Sequence, residues 1–149
     1  MNDNIKEIES KMNSIIQKNE DAIKGYEKAA ENAKSVGLQS YFNSKILERR
    51  NFLVNLKSAA PALDLREGIE GSVTGAIHRT WMDVKTAFSS NDDEAVLEEA
   101  IRGDKAAIEE YNEVLADVHL PVEAASIIRQ QRDWLMDDLK QIKSMEDVA

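Results

Sequence analysis

The sequence predicts an all-α protein that folds as a four-helix bundle of two antiparallel helical hairpins. Three observations predict this class. Apolar residues recur three or four positions apart along most of the 149 residues. Only two prolines and six glycines interrupt that spacing, and aromatic residues make up 5% of the chain. Two of the interruptions are short and one is long, which predicts two tight hairpins joined by a crossover.

The first hairpin is predicted from its stop signals. Gly37 is expected to end the first helix, and Pro61 the second, because proline disfavours helical geometry in the residue before it. The turn at Gly37 is short, so the two helices should run antiparallel. The predicted helices of the whole chain lie at about residues 3–35, 38–60, 72–89, 92–118 and 121–145.

The crossover helix and the second hairpin are predicted from their start signals. Ser72 can cap the short crossover helix. Asn91 lies three residues before Glu94, as in a capping box. Pro121 is expected in the first turn of the last helix, where proline is favoured. The connection of roughly residues 61–91 is far longer than the two others, and one long crossover is typical of the ferritin-like bundle. We expect a single domain over residues 1–149.

The charge of the chain bears on its partners. The formal net charge is −9 and the pI is about 4.8. Nucleic acid and anionic membranes are bound by basic clusters, so neither is expected as a partner. No apolar run approaches the roughly 18 residues that span a bilayer, and the first residues do not resemble a signal peptide.

The chain has no cysteine, which fits a reducing cytoplasm and removes thiolate chemistry. We expect a cytoplasmic protein that forms a homo-oligomer or binds a protein partner.

An internal repeat relates the two hairpins. The segment NEDAIKGY at 19–26 aligns with DKAAIEEY at 104–111, and ILERRNFL at 46–53 aligns with IRQQRDWL at 128–135. Any two amphipathic helices share some apolar positions, but here polar positions also match. The repeat therefore predicts a duplicated hairpin.

The repeat also pairs the polar residues that interrupt the apolar stripes. Each long helix has one such residue between apolar neighbours; these are Asn19, Arg49, Asp104 and Gln131. If the hairpins pack face to face, the four side chains should meet in one layer of the core. A buried charge is too costly to leave unpaired. Arg49 is therefore expected to pair with Asp104, with Asn19 and Gln131 completing the hydrogen bonds.

The same layer raises the question of a metal site. Di-iron bundles of this architecture use a Glu from each of two helices and Glu-x-x-His from the other two. The chain contains no Glu-x-x-His, and Asn51 stands three residues after Glu48 where histidine would be needed. A cationic Arg49 would repel a dinuclear centre. No cofactor is expected; the alternative is a weak iron or manganese site using Glu48, Asp104 or Asp133.

The segment HRTWMDVK offers a second candidate site. His78 and Trp81 share a face of the predicted crossover helix, and Arg79 and Asp83 are spaced to form a surface pair. Packing of this helix onto the bundle is the simpler interpretation. The alternative is a binding surface for a partner or small ligand. No Ser/His/Asp arrangement, glycine-rich phosphate loop or zinc spacing is present, so no catalytic residue is assigned.

Three segments give the chain a family resemblance: AIKGYEKAAENAK at 22–34, the long stretch of residues 71–111, and QQRDWLMDDLKQIK at 130–143. On these, residues 4–143 resemble a bacterial family of uncharacterised four-helix-bundle proteins, a domain-of-unknown-function group in the ferritin-like superfamily. The resemblance implies the fold but no established activity.

Three functions remain open from the sequence. The first is a non-enzymatic bundle that acts through protein contacts, with a polar, salt-bridged layer replacing the di-metal site. The second is a ferritin-like metal-binding or oxidase protein with degenerate ligands. The third is a small-ligand binder at the crossover helix. Whether the protein is an enzyme is not decided by any motif, and the absence of a recognisable catalytic arrangement favours the first.

Overall fold

Four helices make up the part of the chain that the computed structural model describes, which is residues 2–65 and 93–148. They are α1 (Asn2–Asn32), α2 (Val36–Ala59), α3 (Asp93–Leu115) and α4 (Val122–Val148). The described ranges contain no strand. The prediction of an all-α four-helix bundle is confirmed. The crossover helix predicted at 72–89 lies outside the described residues.

The first hairpin turns over three residues. The side-chain oxygen of Ser35 accepts a hydrogen bond of 3.4 Å from the backbone N–H of Leu38, which makes Ser35 the N-cap of α2. α2 therefore begins at Val36, two residues earlier than its apolar pattern predicts. Gly37 lies in the first turn of α2 and does not end α1, which stops at Asn32.

The second hairpin has a turn stabilised by an aspartate. The Asp117 carboxylate accepts a hydrogen bond of 2.9 Å from the backbone N–H of His119, just after α3 ends at Leu115. Such a local bond competes with helical backbone bonding, so α3 stops three residues before its predicted end. Pro121 directly precedes α4, and its carbonyl accepts from the N–H of Ala125 at 2.9 Å.

The helix directions follow from side-chain contacts between the hairpins. Asn19 and Tyr26 on α1 contact Tyr111 and Asp104 on α3, so residue numbers rise along α1 as they fall along α3. α1 also packs against α2, and α4 packs against both α2 and α3. The bundle is therefore up-down-down-up, an order that requires the long connection between α2 and α3.

The core lies between the two hairpins and is built from the apolar stripe of each helix. Its fully buried side chains include Met12, Ile15, Phe42, Leu56, Leu97, Ile128 and Leu135. Burial of this kind of surface is the main stabilising term of a bundle. No helix in the described ranges is both long enough and apolar enough to cross a membrane.

Candidate functional site

A polar layer interrupts the apolar core. Asn19, Arg49, Asp104 and Gln131 are each at most 4% exposed, and each comes from a different helix. The structure brings all four into one hydrogen-bonded network, because the stripe of every helix faces the same axis.

Arg49 connects the two hairpins at this layer. Its Nη2 donates to Asp104 Oδ1 at 2.8 Å, and its Nη1 donates to Asn19 Oδ1 at 2.8 Å. The guanidinium carbon also lies 5.7 Å from the Tyr26 ring centroid and 5.8 Å from that of Phe52, within the range of cation–π attraction. A guanidinium stays charged at any pH the fold survives. The layer therefore contains a permanent cation paired with a buried carboxylate group.

Two tyrosines complete the layer, and sequence reasoning missed both. The Tyr26 hydroxyl donates to Asp104 Oδ1 at 2.8 Å. Tyr111 accepts from Asn19 Nδ2 at 2.9 Å and donates to Gln131 Oε1 at 2.6 Å. Burial raises the pKa of Tyr111 to about 12 and that of Tyr26 well above its ordinary value, so both act as neutral donors. The repeat could have revealed both tyrosines, since each of them is the last residue of one copy of the first repeated segment.

The repeat is visible in these contacts. Tyr26 reaches across to Asp104, and Tyr111 reaches across to Asn19, which occupies the equivalent position in the other hairpin. Gln131, the counterpart of Arg49, was expected to bond the guanidinium. It accepts instead from Tyr111, and its Nε2 donates to the Phe52 carbonyl at 3.1 Å. An uncharged amide can be satisfied by a backbone carbonyl, so in this layer the first hairpin supplies the cation, Arg49, and the second supplies the carboxyl group of Asp104.

A second ion pair lies beside the layer, and it too was not predicted. Lys45 Nζ is 2.9 Å from Asp138 Oδ1, and the Tyr41 hydroxyl donates to the same oxygen at 2.7 Å. The ammonium lies 4.7 Å from the centroid of the Tyr41 ring and 4.5 Å from that of Trp134. Both charged side chains are almost fully buried. Lys45 precedes Arg49 by one helical turn, which is the spacing that could have revealed it.

The three carboxylates considered as metal ligands do not converge. Asp104 bonds Arg49 and Tyr26, and Glu48 Oε2 is 3.3 Å from Lys45 Nζ. The Asp133 side chain is 60% exposed and pairs with the neighbouring Arg132 at 3.1 Å, so it lies on the surface. Within residues 2–65 and 93–148, no three His, Cys, Asp or Glu side chains are grouped to hold a metal ion.

The other candidate site lies outside the described residues. His78, Arg79, Trp81 and Asp83 lie between the two described ranges, so the binding surface considered for the crossover helix stays a prediction.

The geometry defines a class of protein: a four-helix bundle whose core is crossed by a buried, ion-paired polar layer. The chain belongs to the family described as Domain of unknown function (DUF2383), which matches residues 7–117. That match covers most of the chain, from within α1 to just past the end of α3. Neither a comparison with curated proteins nor one with solved structures returned a match.

Proposed function

We propose that this protein is a ferritin-like bundle without enzymatic activity, that it acts through protein contacts, and that the ion-paired layer replaces the di-metal site of the architecture. The observation that supports this most directly is the position of Arg49. Its guanidinium lies in the layer and donates to Asn19 and Asp104 at 2.8 Å. A cation fixed there supplies the positive charge that metal ions would otherwise bring.

Elemental analysis tests the replacement of the metal site. For protein purified without chelators, we expect iron and manganese far below one atom per chain, because Asp104 is already bonded to Arg49 and Tyr26. Loading with excess Fe²⁺ or Mn²⁺ followed by gel filtration should leave the same result. Stoichiometric metal that disappears in Asp104→Ala would overturn the proposal, and Asp133→Ala is the control for exposed carboxylates.

The outer face of α2 supports the second part, a role through protein contacts. Seven exposed positions follow one another at intervals of three or four residues along this helix and carry no charge: Val36, Ser40, Asn43, Leu47, Asn51, Val54 and Ser58. Its three aliphatic side chains are 63–75% exposed. α2 therefore packs one side against the core and has no charged residue along the opposite side, which an isolated surface helix does not require.

A second copy of this chain is the partner that fits this face. The chain has 28 acidic residues, but the 24 residues of α2 include only one, Glu48, which pairs with Lys45. Two chains of net charge −9 can therefore meet along the uncharged positions of α2 without placing carboxylates opposite each other. The uncharged positions are also spaced symmetrically about Leu47. An antiparallel pair of α2 helices with a two-fold axis at Leu47 would place Asn43 opposite Asn51 of the other copy.

Leu47→Glu tests this interface. The substitution places two carboxylates at the proposed two-fold axis, so we expect a concentration-dependent dimer in the wild type and a monomer in the variant. Sedimentation velocity over about a hundredfold concentration range measures both. The melting temperature of the monomer should barely change, because Leu47 does not contribute to the core of one chain.

Val118→Glu is the matched control for that experiment. Val118 is 88% exposed and lies between α3 and α4, so the same charge is added away from the proposed face. It should leave the dimer intact. A wild-type protein that is monomeric at every concentration, or a Leu47→Glu variant that associates like the wild type, would contradict the choice of a second copy as partner.

A further inference from the structure

Two buried carboxyl groups meet beside the polar layer. Asp104 on α3 is 0% exposed and Asp138 on α4 is 2% exposed. Their side chains lie within hydrogen-bonding reach of each other. Two ionised carboxylates in such contact repel strongly in a medium of low dielectric constant.

The two groups have matching environments. Asp104 Oδ1 receives the Arg49 guanidinium at 2.8 Å and the Tyr26 hydroxyl at 2.8 Å. Asp138 Oδ1 receives the Lys45 ammonium at 2.9 Å and the Tyr41 hydroxyl at 2.7 Å. Each Oδ1 therefore has one cation and one phenol as donors.

The second oxygens are different. Asp104 Oδ2 and Asp138 Oδ2 are both buried, and neither receives a hydrogen bond from a donor in the described residues. A buried acceptor without a donor is costly, and here two of them belong to adjacent groups. One proton between the carboxyl groups would satisfy both oxygens and remove the repulsion.

The charged groups around the pair leave both second oxygens without a donor. In the described residues two cations face the pair, Lys45 and Arg49, both on α2, and each is bonded to an Oδ1. Glu48, which pairs with Lys45, is 36% exposed and stays in contact with solvent. From α1 the neutral Tyr26 hydroxyl also donates to an Oδ1. A proton is therefore the donor that remains for the two Oδ2 atoms.

We propose that Asp104 and Asp138 hold one proton between their carboxyl groups in the folded protein, so that the pair is a proton-binding site acquired on folding. The proton comes from solvent as the chain folds and is released when the chain unfolds. Adjacent carboxyl groups share one proton in this way because it is unfavourable for both to be ionised at once.

The proton site has a consequence for stability. Burial raises the pKa of the Asp104 carboxyl; Arg49 acts in the opposite direction, and Asp138 raises the pKa further. An unfolded aspartate has a pKa of about 3.9. Between that value and the raised value, the folded protein holds a proton that the unfolded chain lacks. The stabilisation is complete below the unfolded pKa and is lost as pH rises through the folded one. In this window the pair makes the folding equilibrium constant fall about tenfold per pH unit.

Asparagine substitutions test the site. In Asp138→Asn, the amide oxygen can still accept from Lys45 and Tyr41, and its N–H₂ supplies a permanent hydrogen to Asp104. Asp104→Asn reverses the roles. We expect either variant to lose the pair's contribution to the pH dependence. As the pH rises from about 4, the ratio of the variant's folding equilibrium constant to that of the wild type should therefore increase about tenfold per pH unit. Denaturant unfolding at a series of pH values measures this. The double variant places two amides together and should be less stable than either single variant.

Asp137→Asn is the control, since it changes the same charge at the exposed neighbour of Asp138 and should keep the wild-type pH dependence. Infrared spectroscopy gives an independent reading of the wild type, even if a variant fails to fold. We expect the carbonyl band of a protonated aspartic acid at neutral pH. Absence of that band in the wild type, or single variants with the wild-type pH dependence, would overturn the proposal. So would loss of stability on removing divalent cations with a chelator, which would indicate a cation between the carboxylates.

Discussion

Replacing Arg49 with leucine is expected to destabilise the folded protein by about 3–5 kcal/mol at neutral pH. The side chain is 1% exposed, and it is the donor to both Asp104 Oδ1 and Asn19 Oδ1. Its removal leaves a buried carboxyl group without its cation and an amide oxygen without a donor. Chemical denaturation of wild type and variant measures the difference. The cost should shrink as the pH is lowered, because a second proton on the Asp104–Asp138 pair then removes the negative charge that the pair still carries.

Two further variants separate the buried charge from a general effect of losing an arginine. Arg50→Leu alters the adjacent residue, which is 58% exposed and whose ion pair with Glu27, at 3.6 Å, lies on the surface. Because exposed ion pairs contribute little, this variant should change the free energy of unfolding by less than about 1 kcal/mol. The double variant Arg49→Leu, Asp104→Leu removes both members of the buried pair and should recover much of the loss. If Arg49→Leu lowers the free energy of unfolding no more than Arg50→Leu does, the buried ion pair does not contribute to stability.

Phe42→Ala is expected to have the other large effect, again about 3–5 kcal/mol. Phe42 is 0% exposed, stacks on Tyr26 with ring centroids 5.9 Å apart, and meets Tyr41 edge-on at 5.4 Å. Those two tyrosines donate to Asp104 and Asp138. Truncation therefore leaves a cavity and also loosens the two donors that hold the buried carboxyl groups.

The stability of Phe42→Ala is measured by thermal and denaturant unfolding. Phe42→Leu should cost less, because it keeps most of the buried volume. Val118→Ala is the control for an apolar side chain in solvent and should be nearly neutral. A loss for Phe42→Ala as small as that of Val118→Ala would mean that the two hairpins do not pack around this ring.

Much of the fold was predictable because a helix is specified by residues that are close together in the sequence. The apolar spacing identifies which side of each helix faces the core, and a polar residue within that spacing is buried wherever the helix packs. Arg49 and Asp104 were therefore expected in the core before any coordinates, and the need to compensate buried charge predicted their pairing. The exact helix ends were less predictable, because a single side-chain bond such as that of Ser35 moves a boundary by two residues.

The partners inside the layer were decided by the tertiary structure. Asp138 and Lys45 occupy buried positions of their helices, but their contact depends on how far α2 and α4 are shifted along the bundle axis. The same shift sets the carboxyl group of Asp138 beside that of Asp104 and gives Gln131 a tyrosine in place of a guanidinium. Spacing along one helix contains no information about that axial register. The sequence alone thus determined four helices and a polar layer of core residues; only the packing of the two hairpins decided which oxygens in that layer receive a donor and which share a proton.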